Sequence, residues 1–440
     1  MKPGIMPAVL VGCLLLAQAS RSETCENCFA VVVVPDTQYY TGQGGFQPGG
    51  KNHLQWMMNY ICAHKSAWTE VRTQKEMPIL MVLHVGDLIE NAGTAQSPGQ
   101  WAIIDSAFDI LDECTPQVPY LVVPGNHDLG NPGRQPATPD SYSVSAAGFN
   151  EHFAAPCVNP SELLCDANGG PGSEPHPPRK AWRDGACRTA PDCAYPGEWY
   201  LGNGDDVRKA SRDLDGVSGL AAASAGPPAS EPGRHRAGVI RTPQGTQMLL
   251  VGLDYGFDWD VGGDHGDDLE WVEGLLRKFP TTPTILVHHQ LFLEGHLGGK
   301  GLLYTDSARG SPQAAANAAW NKLVVPNRQI MMTLNGHWVP GRVTASIHKV
   351  ANQHKTSIPG QPGRFVYRIY RNFQAVTDPN YANGWISFLV FDPDMGQIRL
   401  RSHKIESPEG TPAIVDNDYS CPVDPMGCEY IENWSFPKPN

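Results

Sequence analysis

Beyond its first twenty positions, the 440-residue chain has no apolar run long enough to span a bilayer. It also lacks a positive charge balance: 33 lysines and arginines face 45 aspartates and glutamates, a formal charge of −12. That balance excludes a nucleic-acid or anionic-membrane surface, because both partners need a basic face. No G-x-S-x-G elbow is present and the cysteines look paired, so a serine or cysteine nucleophile finds no support. The acidic run Asp258, Asp260, Asp264, Asp267 and Asp268 lacks the ligand order and glycine of an EF-hand. It reads as a solvated loop with a helix cap at Asp267. No internal repeat is apparent.

What is present describes a soluble globular chain rich in loops: 41% hydrophobic residues, 46 glycines and 39 prolines. Residues 1–19 read as a secretory signal. Lys2 is its basic end, Ile5 to Leu16 its short apolar run, and Ala17-Gln18-Ala19 supplies small residues at the cleavage spacing. Ten cysteines remain after it: Cys25, Cys28, Cys62, Cys114, Cys157, Cys165, Cys187, Cys193, Cys421 and Cys428. An even count in a secreted chain reads as disulfides of open connectivity, with Cys25-x-x-Cys28 a structural bridge rather than a redox or zinc pair. Asn433-Trp434-Ser435 is a glycosylation sequon.

Three early segments share one shape, an apolar run closed by a polar cluster. Phe29 to Val34 leads to Asp36-Thr37-Gln38, Ile79 to Val85 to Gly86-Asp87, and Tyr120 to Val123 to Gly125-Asn126-His127-Asp128. Short β-branched runs bounded by glycine and proline predict strands buried on both faces. Asn52 to His64 and Gln100 to Cys114 carry apolar residues at helical spacing. The alternation predicts an α/β fold with a parallel or mixed sheet and reactive groups at the strands' carboxyl ends. Residues 129–196 and 203–237, rich in glycine, proline and polar side chains, read as two insertions, the first stapled by disulfides in place of a core. Regular structure is expected again at Met248 to Leu253, Asp267 to Lys278 (helix), Thr284 to Val287, Gln313 to Leu323 (helix) and Gln329 to Leu334. Hairpins are expected over Arg364 to Ala375 and from Trp385 to Phe391 through Gln397 to His403.

Five polar clusters thus follow apolar runs: Asp36-x-Gln38, Gly86-Asp87, Gly125-Asn126-His127-Asp128, His288-His289 and Gly336-His337. This mixture of oxygen and imidazole donors suits two metals such as Fe, Mn or Zn. A dry core would not tolerate them all unsatisfied. His84 reads as a packed strand residue. Tyr39, Tyr40, Trp199 and Trp338 could line a pocket or pack.

The order of these clusters resembles the calcineurin-like metallophosphoesterase family, whose pattern is D-x-H, G-D, G-N-H-[DE], a single His and G-H-x-H. Within it the chain is similar to the secreted branch opening D-T-Q-Y-Y, here Asp36-Thr37-Gln38-Tyr39-Tyr40. Later segments extend the likeness: Phe149-Asn150-Glu151-His152-Phe153, Asp268-Leu269-Glu270-Trp271, Asn372-Phe373-Gln374 and Gly384-Trp385. The resemblance implies a single domain over residues 29–405 with a C-terminal tail, 406–440, that holds a cysteine pair. It implies two packed mixed sheets flanked by helices, a four-layer α/β/β/α sandwich. It further implies a secreted phosphoesterase with two divalent or mixed-valence metal ions, in which metal-activated hydroxide hydrolyses small or macromolecular phosphate esters. Asp87 would bridge the metals, Asp36 and Gln38 would bind the first, and Asn126, His288 and His337 the second. His289 is the alternative to His288, because adjacent strand residues face opposite sides. His127 would protonate the leaving group, with Asp128 holding its tautomer.

Two positions depart from the family pattern. Gln38 stands where the wider family has His, and Val339 stands at the second His of G-H-x-H. Both changes weaken the first metal position, and the second keeps open a catalytically silent binding protein of the same fold. The cysteine arithmetic gives the first prediction: the mature, unreduced, denatured protein should titrate with no free thiol, and reduction should loosen residues 129–196 before the core. Several free thiols per chain would contradict it.

Overall fold

The structure, a computed structural model, describes residues 23–41, 50–70, 73–90, 97–115, 118–129, 236–253, 272–277, 279–291, 319–337, 351–373 and 384–405, with residues 92, 149, 152, 153, 202, 203, 255, 430 and 431. The leader, most of both insertions, the acidic run from Asp258, the sequon, Trp199, Trp338 and Val339 lie outside them.

Two mixed sheets carry the fold. The first runs in space Tyr430–Ile431 (β16), Gln397–Lys404 (β15), Trp385–Asp392 (β14), Phe29–Val34 (β2), Ile79–His84 (β5) and Tyr120–Val122 (β6). β2, β5 and β6 are parallel, while β14 pairs antiparallel with both β2 and β15. The second runs Ala351–Ser357 (β12), Phe365–Arg371 (β13), Ile330–Asn335 (β11), Thr284–Val287 (β10), Gln247–Gly252 (β9), Arg236–Arg241 (β8) and Gly202–Asn203 (β7). Its centre, β9-β10-β11-β13, is parallel. A small satellite sheet joins Glu23–Thr24 (β1), Lys75–Met77 (β4) and Trp68–Thr69 (β3).

Alternation along β2 shows how the layers form. Val31 and Val33 point to a cluster shared with Leu83, Leu250, Ile285, Met332 and Leu389, which lies between the sheets. Ala30, Val32 and Val34 face the opposite way, onto Gly50–His64 (α2) and Ser97–Glu113 (α3), through Leu54, Met58, Ile104 and Phe108. On the outer face of the second sheet, Leu249, Val251 and Leu286 meet Val272 and Leu276 of the helical segment 272–277 and Trp320 of a π-helical turn, Trp320–Val324. The result is the expected four-layer α/β/β/α sandwich. Each fully buried aliphatic side chain contributes about 1.5–3 kcal/mol, so the middle layer holds the sheets together.

Two disulfides lie within the described residues. Cys25–Cys28 closes the turn before β2, and Cys62–Cys114 ties α2 to the end of α3. Three aromatic-rich positions of the first insertion join the core rather than standing apart from it. Phe149 and Phe153 are buried, Phe153 packs edge-on against Phe108, and His152 stacks on Trp101 while bonding Asp105 at 2.7 Å. β8 also begins inside the stretch expected to be insertion. β12 (Ala-Asn-Gln-His-Lys-Thr-Ser) is an edge strand whose polar sequence shows no apolar alternation, so the period-two signal is missing there.

His403 on β15 is packed against Trp68 and Phe388, and its burial lowers the imidazole's pKa to about 4, with Arg401 adding to the effect. The unfolded chain therefore binds this proton from about 6.5 downward, while the folded chain does not until about 4. Stability from this residue is lost as pH falls through that window. Buried carboxyls such as Asp128, with raised pKa, act in the opposite sense. The expected test compares wild type with His403→Gln by urea unfolding. Their stability difference should shrink from pH 7 to pH 4.5, by at most about 1.4 kcal/mol per pH unit; a pH-independent difference would show that His403 does not titrate this way.

Candidate metal centre

The carboxyl ends of the parallel strands of both sheets meet at one edge of the sandwich, and the polar turns collect there. Asp36 follows β2, Asp87 follows β5, Asn126 and His127 follow β6, His288 and His289 follow β10, and His337 follows β11. The turns are tight. Asp87 and His337 have φ of 53° and 75°, a left-handed conformation that non-glycine residues adopt only where the surroundings impose it. Gly86 sits at φ 100°, and a Cβ there would stand 2.6 Å from the His289 ring. Side chains at Gly125 and Gly336 would collide with the carboxylates of Asp87 and Asp36. The glycines of G-D, G-N-H and G-H are therefore demanded by close approach.

Four donors converge. His289 Nε2 lies 3.1 Å from Asp87 Oδ2, 3.2 Å from Asn126 Oδ1 and 3.1 Å from His337 Nδ1, and His337 Nδ1 lies 2.8 Å from Asn126 Oδ1. The ligand atoms of Asp87, His289 and His337 all fall within 4.8 Å of one another. Tautomers follow from the outer bonds. His289 Nδ1 is 2.8 Å from the Val85 carbonyl, so it carries the proton and Nε2 presents its lone pair to the cluster. Burial holds His337 down to about 3, with the neighbouring His289 adding to the effect, so the ring is neutral at physiological pH. Burial pushes Asp87 up, and only positive charge beside it, from a protonated ring of His289, His127 or His337 or from a bound cation, pulls the carboxyl below its usual range. Lone pairs of this kind repel unless a cation sits among them, and a set of two imidazoles, a carboxylate and an amide oxygen fits Zn, Fe or Mn.

The outer residues are placed as follows. Asp36 accepts from His337 N at 2.9 Å and from Asn372 Nδ2 at 2.6 Å, both at Oδ2, while its buried Oδ1 has no hydrogen bond among the described residues. Burial, together with the charge of Asp87, pushes Asp36 well above the usual carboxylate range. Gln38 opens a helical turn, Gln38–Thr41 (α1), and its buried Oε1 is also without a hydrogen bond among the described residues. His84 is a packed side chain: its Nδ1 accepts from Gly86 N at 3.1 Å and its Nε2 meets Thr37 Oγ1 at 3.1 Å, joining the first two turns.

Two assignments change. The histidine that enters the cluster is His289, not His288. β10 ends at Val287, and beyond it strand alternation no longer decides which ring turns inward. His288 instead accepts from Gln290 N at 3.1 Å and stacks on Tyr255. Asp128 does not hold the His127 ring either. Its Oδ1 accepts from Leu88 N and Ile89 N at 2.8 and 3.0 Å, and its Oδ2 from Gly125 N at 2.8 Å, so it clamps the Asp87 and Asn126 turns together. The ring's partner is Glu90, whose carbonyl lies 2.7 Å and whose carboxylate 3.8 Å from His127 Nδ1. His127 N donates to Asp87 Oδ1 at 3.0 Å. Sequence alone does not mark Glu90, Asn372 or Tyr255 as site residues. Glu90 carries the faintest signal, an acid three residues after Asp87.

No protein-family model matches the chain. The uncharacterized protein YvnB of Bacillus subtilis (strain 168) is 18% identical over 394 residues, which cover 90% of this chain and 21% of that protein. The chain thus spans about a fifth of that relative's length. Among solved structures, purple acid phosphatase PPD1 from yellow lupin (Lupinus luteus) seeds superposes with a TM-score of 0.38 and 13% identity, over 86% of this chain and 51% of that one.

The clamp predicts a specific cost. Asp128→Ala leaves three buried amides without an acceptor and should destabilise the metal-stripped protein by about 3 kcal/mol or more. Denaturant unfolding measures it, and a loss below about 1 kcal/mol would show that the clamp is replaced by water.

Proposed function

We propose that the chain is a secreted metal-dependent phosphoesterase. The observation that carries this reading is the convergence of Asp87, Asn126, His289 and His337 at the strand ends, with His127 fixed beside them by its own backbone bond to Asp87. Asp36 and Gln38, each with an oxygen lacking a hydrogen bond among the described residues, are the proposed ligands of a second cation. Two bound cations would supply a water acidic enough to attack near neutral pH and would neutralise the phosphoryl oxygens.

The protein's own groups do the rest. Val85 O fixes the His289 tautomer, so a lone pair and not an N–H faces the centre. Asp128 keeps the turns of Asp87 and Asn126 in register. His127 keeps its Nδ1 proton on Glu90 O, and the Glu90 carboxylate at 3.8 Å stabilises the charged ring, whose Nε2 proton passes to the leaving oxygen. Secretion rests on the leader-like residues 1–19 and on the Cys25–Cys28 and Cys62–Cys114 bridges. Among the described residues no helix is long and apolar enough to cross a membrane. Val339, where the family pattern has a ligand, favours a second reading, a catalytically weak or silent binding protein.

Hydrolysis of an aryl phosphate monoester and diester, measured with bound metal per chain, tests the proposal. His127→Ala should lower turnover by about 100-fold or more while metal content stays the same. Equal loss of both would make His127 a ligand. No hydrolysis by wild type with metal in excess would favour the silent protein.

A further inference from the structure

The two described disulfides constrain the chain very differently. Cys62–Cys114 closes a separation of 52 residues and joins two helices, whereas Cys25–Cys28 closes a separation of 3. A bridge over so short a loop removes little freedom from the unfolded chain. The turn it closes is also held by other bonds. Cys25 N donates to the Glu76 carbonyl at 3.0 Å, Cys28 N to the Cys25 carbonyl at 3.3 Å, and Asn27 Nδ2 to the Asp394 carboxylate at 2.8 and 3.1 Å. Spacing alone reads the pair as a structural bridge, but its surroundings add a chemical role.

Those surroundings are charged. A carboxylate oxygen of the fully buried Asp392 lies within 4.8 Å of both sulfurs. Asp392 Oδ2 accepts from Lys75 Nζ at 2.9 Å and from Arg399 Nη1 at 3.0 Å, and Oδ1 accepts from Met395 N at 3.1 Å. Two cations therefore meet on one anion beside the bridge. Arg399 is shared with Glu70, 3.0 Å from its Nη2, while Lys75, with 26% of its side chain exposed, reaches in from the surface. The two cysteines differ in access: Cys25 keeps 8% of its surface and Cys28 none.

We propose that Cys25–Cys28 is a thiol-exchange site, opened by a low-molecular-weight thiol. An incoming thiolate attacks Cys25 Sγ, the more accessible sulfur. The new S–S bond forms as the Cys25–Cys28 bond breaks, and the electron pair leaves on Cys28 Sγ. A second thiolate then attacks the incoming sulfur, releases Cys25 as a thiolate and departs within a disulfide of the two small thiols. The bridge is reduced by two electrons, the two thiols are oxidised, and their protons pass to solvent or to the freed cysteines. Exchange is faster when the leaving sulfur is the more stable anion. Lys75 and Arg399 supply the positive charge that makes Cys28 such a leaving group, while Asp392 opposes it. The site is separate from the strand-end cluster and does not rest on the phosphoesterase reading.

Oxidised full-length protein equilibrated in glutathione buffers of rising reduced-to-oxidised ratio, alkylated and mapped by peptide mass, tests the proposal. Cys25 and Cys28 should become alkylated at a ratio about tenfold or more below that needed for Cys62 and Cys114. The mixed disulfide with glutathione should sit on Cys25. Lys75→Met should raise the ratio needed to open the bridge, and Asp392→Asn should lower it. Mere loosening of the fold would lower it in both variants, so the opposed shifts separate charge from damage. Opening no earlier than Cys62–Cys114, a mixed disulfide on Cys28, or a shift of both variants in one direction overturns the proposal.

Discussion

Four lone-pair donors share one buried space at the edge of the sandwich, and their mutual repulsion is the constraint that the surrounding turns obey. Asp87, Asn126, His289 and His337 approach within hydrogen-bond distance without enough protons to go round. In a low-dielectric interior that arrangement is costly unless positive charge neutralises it. The protein meets the cost with strained turns at Asp87 and His337, with glycines that leave room for neighbouring ligands, and with Asp128, which holds three amides at once. His84 adds a further brace between the Asp36 and Asp87 turns. A cation bound there would give this acidic chain a local positive site without a basic surface.

The polar turns of the centre are legible in the sequence because each ends a continuous apolar run, as Phe29–Val34 ends before Asp36 and Ile79–His84 before Asp87. Burial on both faces requires such runs, so the parallel cores of both sheets are legible too. β12 and β7 are not, since edge strands need no apolar alternation. Between His288 and His289 the period-two rule cannot choose, because both lie past the last strand residue. Asp128 misleads for a different reason: its neighbour in sequence is His127, but its bonds run to the backbone of another turn. Glu90 acts mainly through a carbonyl, which every residue has, and Asn372 reaches Asp36 across 336 positions. Neither kind of contact leaves a local mark.

Both sheets contribute residues to the candidate centre. Asp36, Asp87 and Asn126 follow strands of the first, while His289 and His337 follow strands of the second. The site is thus as rigid as the layer of Val31, Val33, Leu83, Ile285 and Met332 that fixes the spacing between them. A side chain lost from that layer changes the geometry of the cluster without touching any of its residues, because close-packed interiors transmit small displacements.

The neighbours of β2 come from opposite ends of the chain. β5 pairs on one side at residues 79–84, while β14, at Ser387 to Phe391, pairs on the other. A nascent polypeptide leaving the ribosome can align β2 with β5 early, but the second side of β2 stays open until residues 387–391 have been made. Such long-range pairing is slow, and an apolar strand with an unpaired side invites association with other chains. A truncation before residue 385 therefore leaves one side of Phe29–Val34 unpaired and should yield aggregate rather than a smaller folded species.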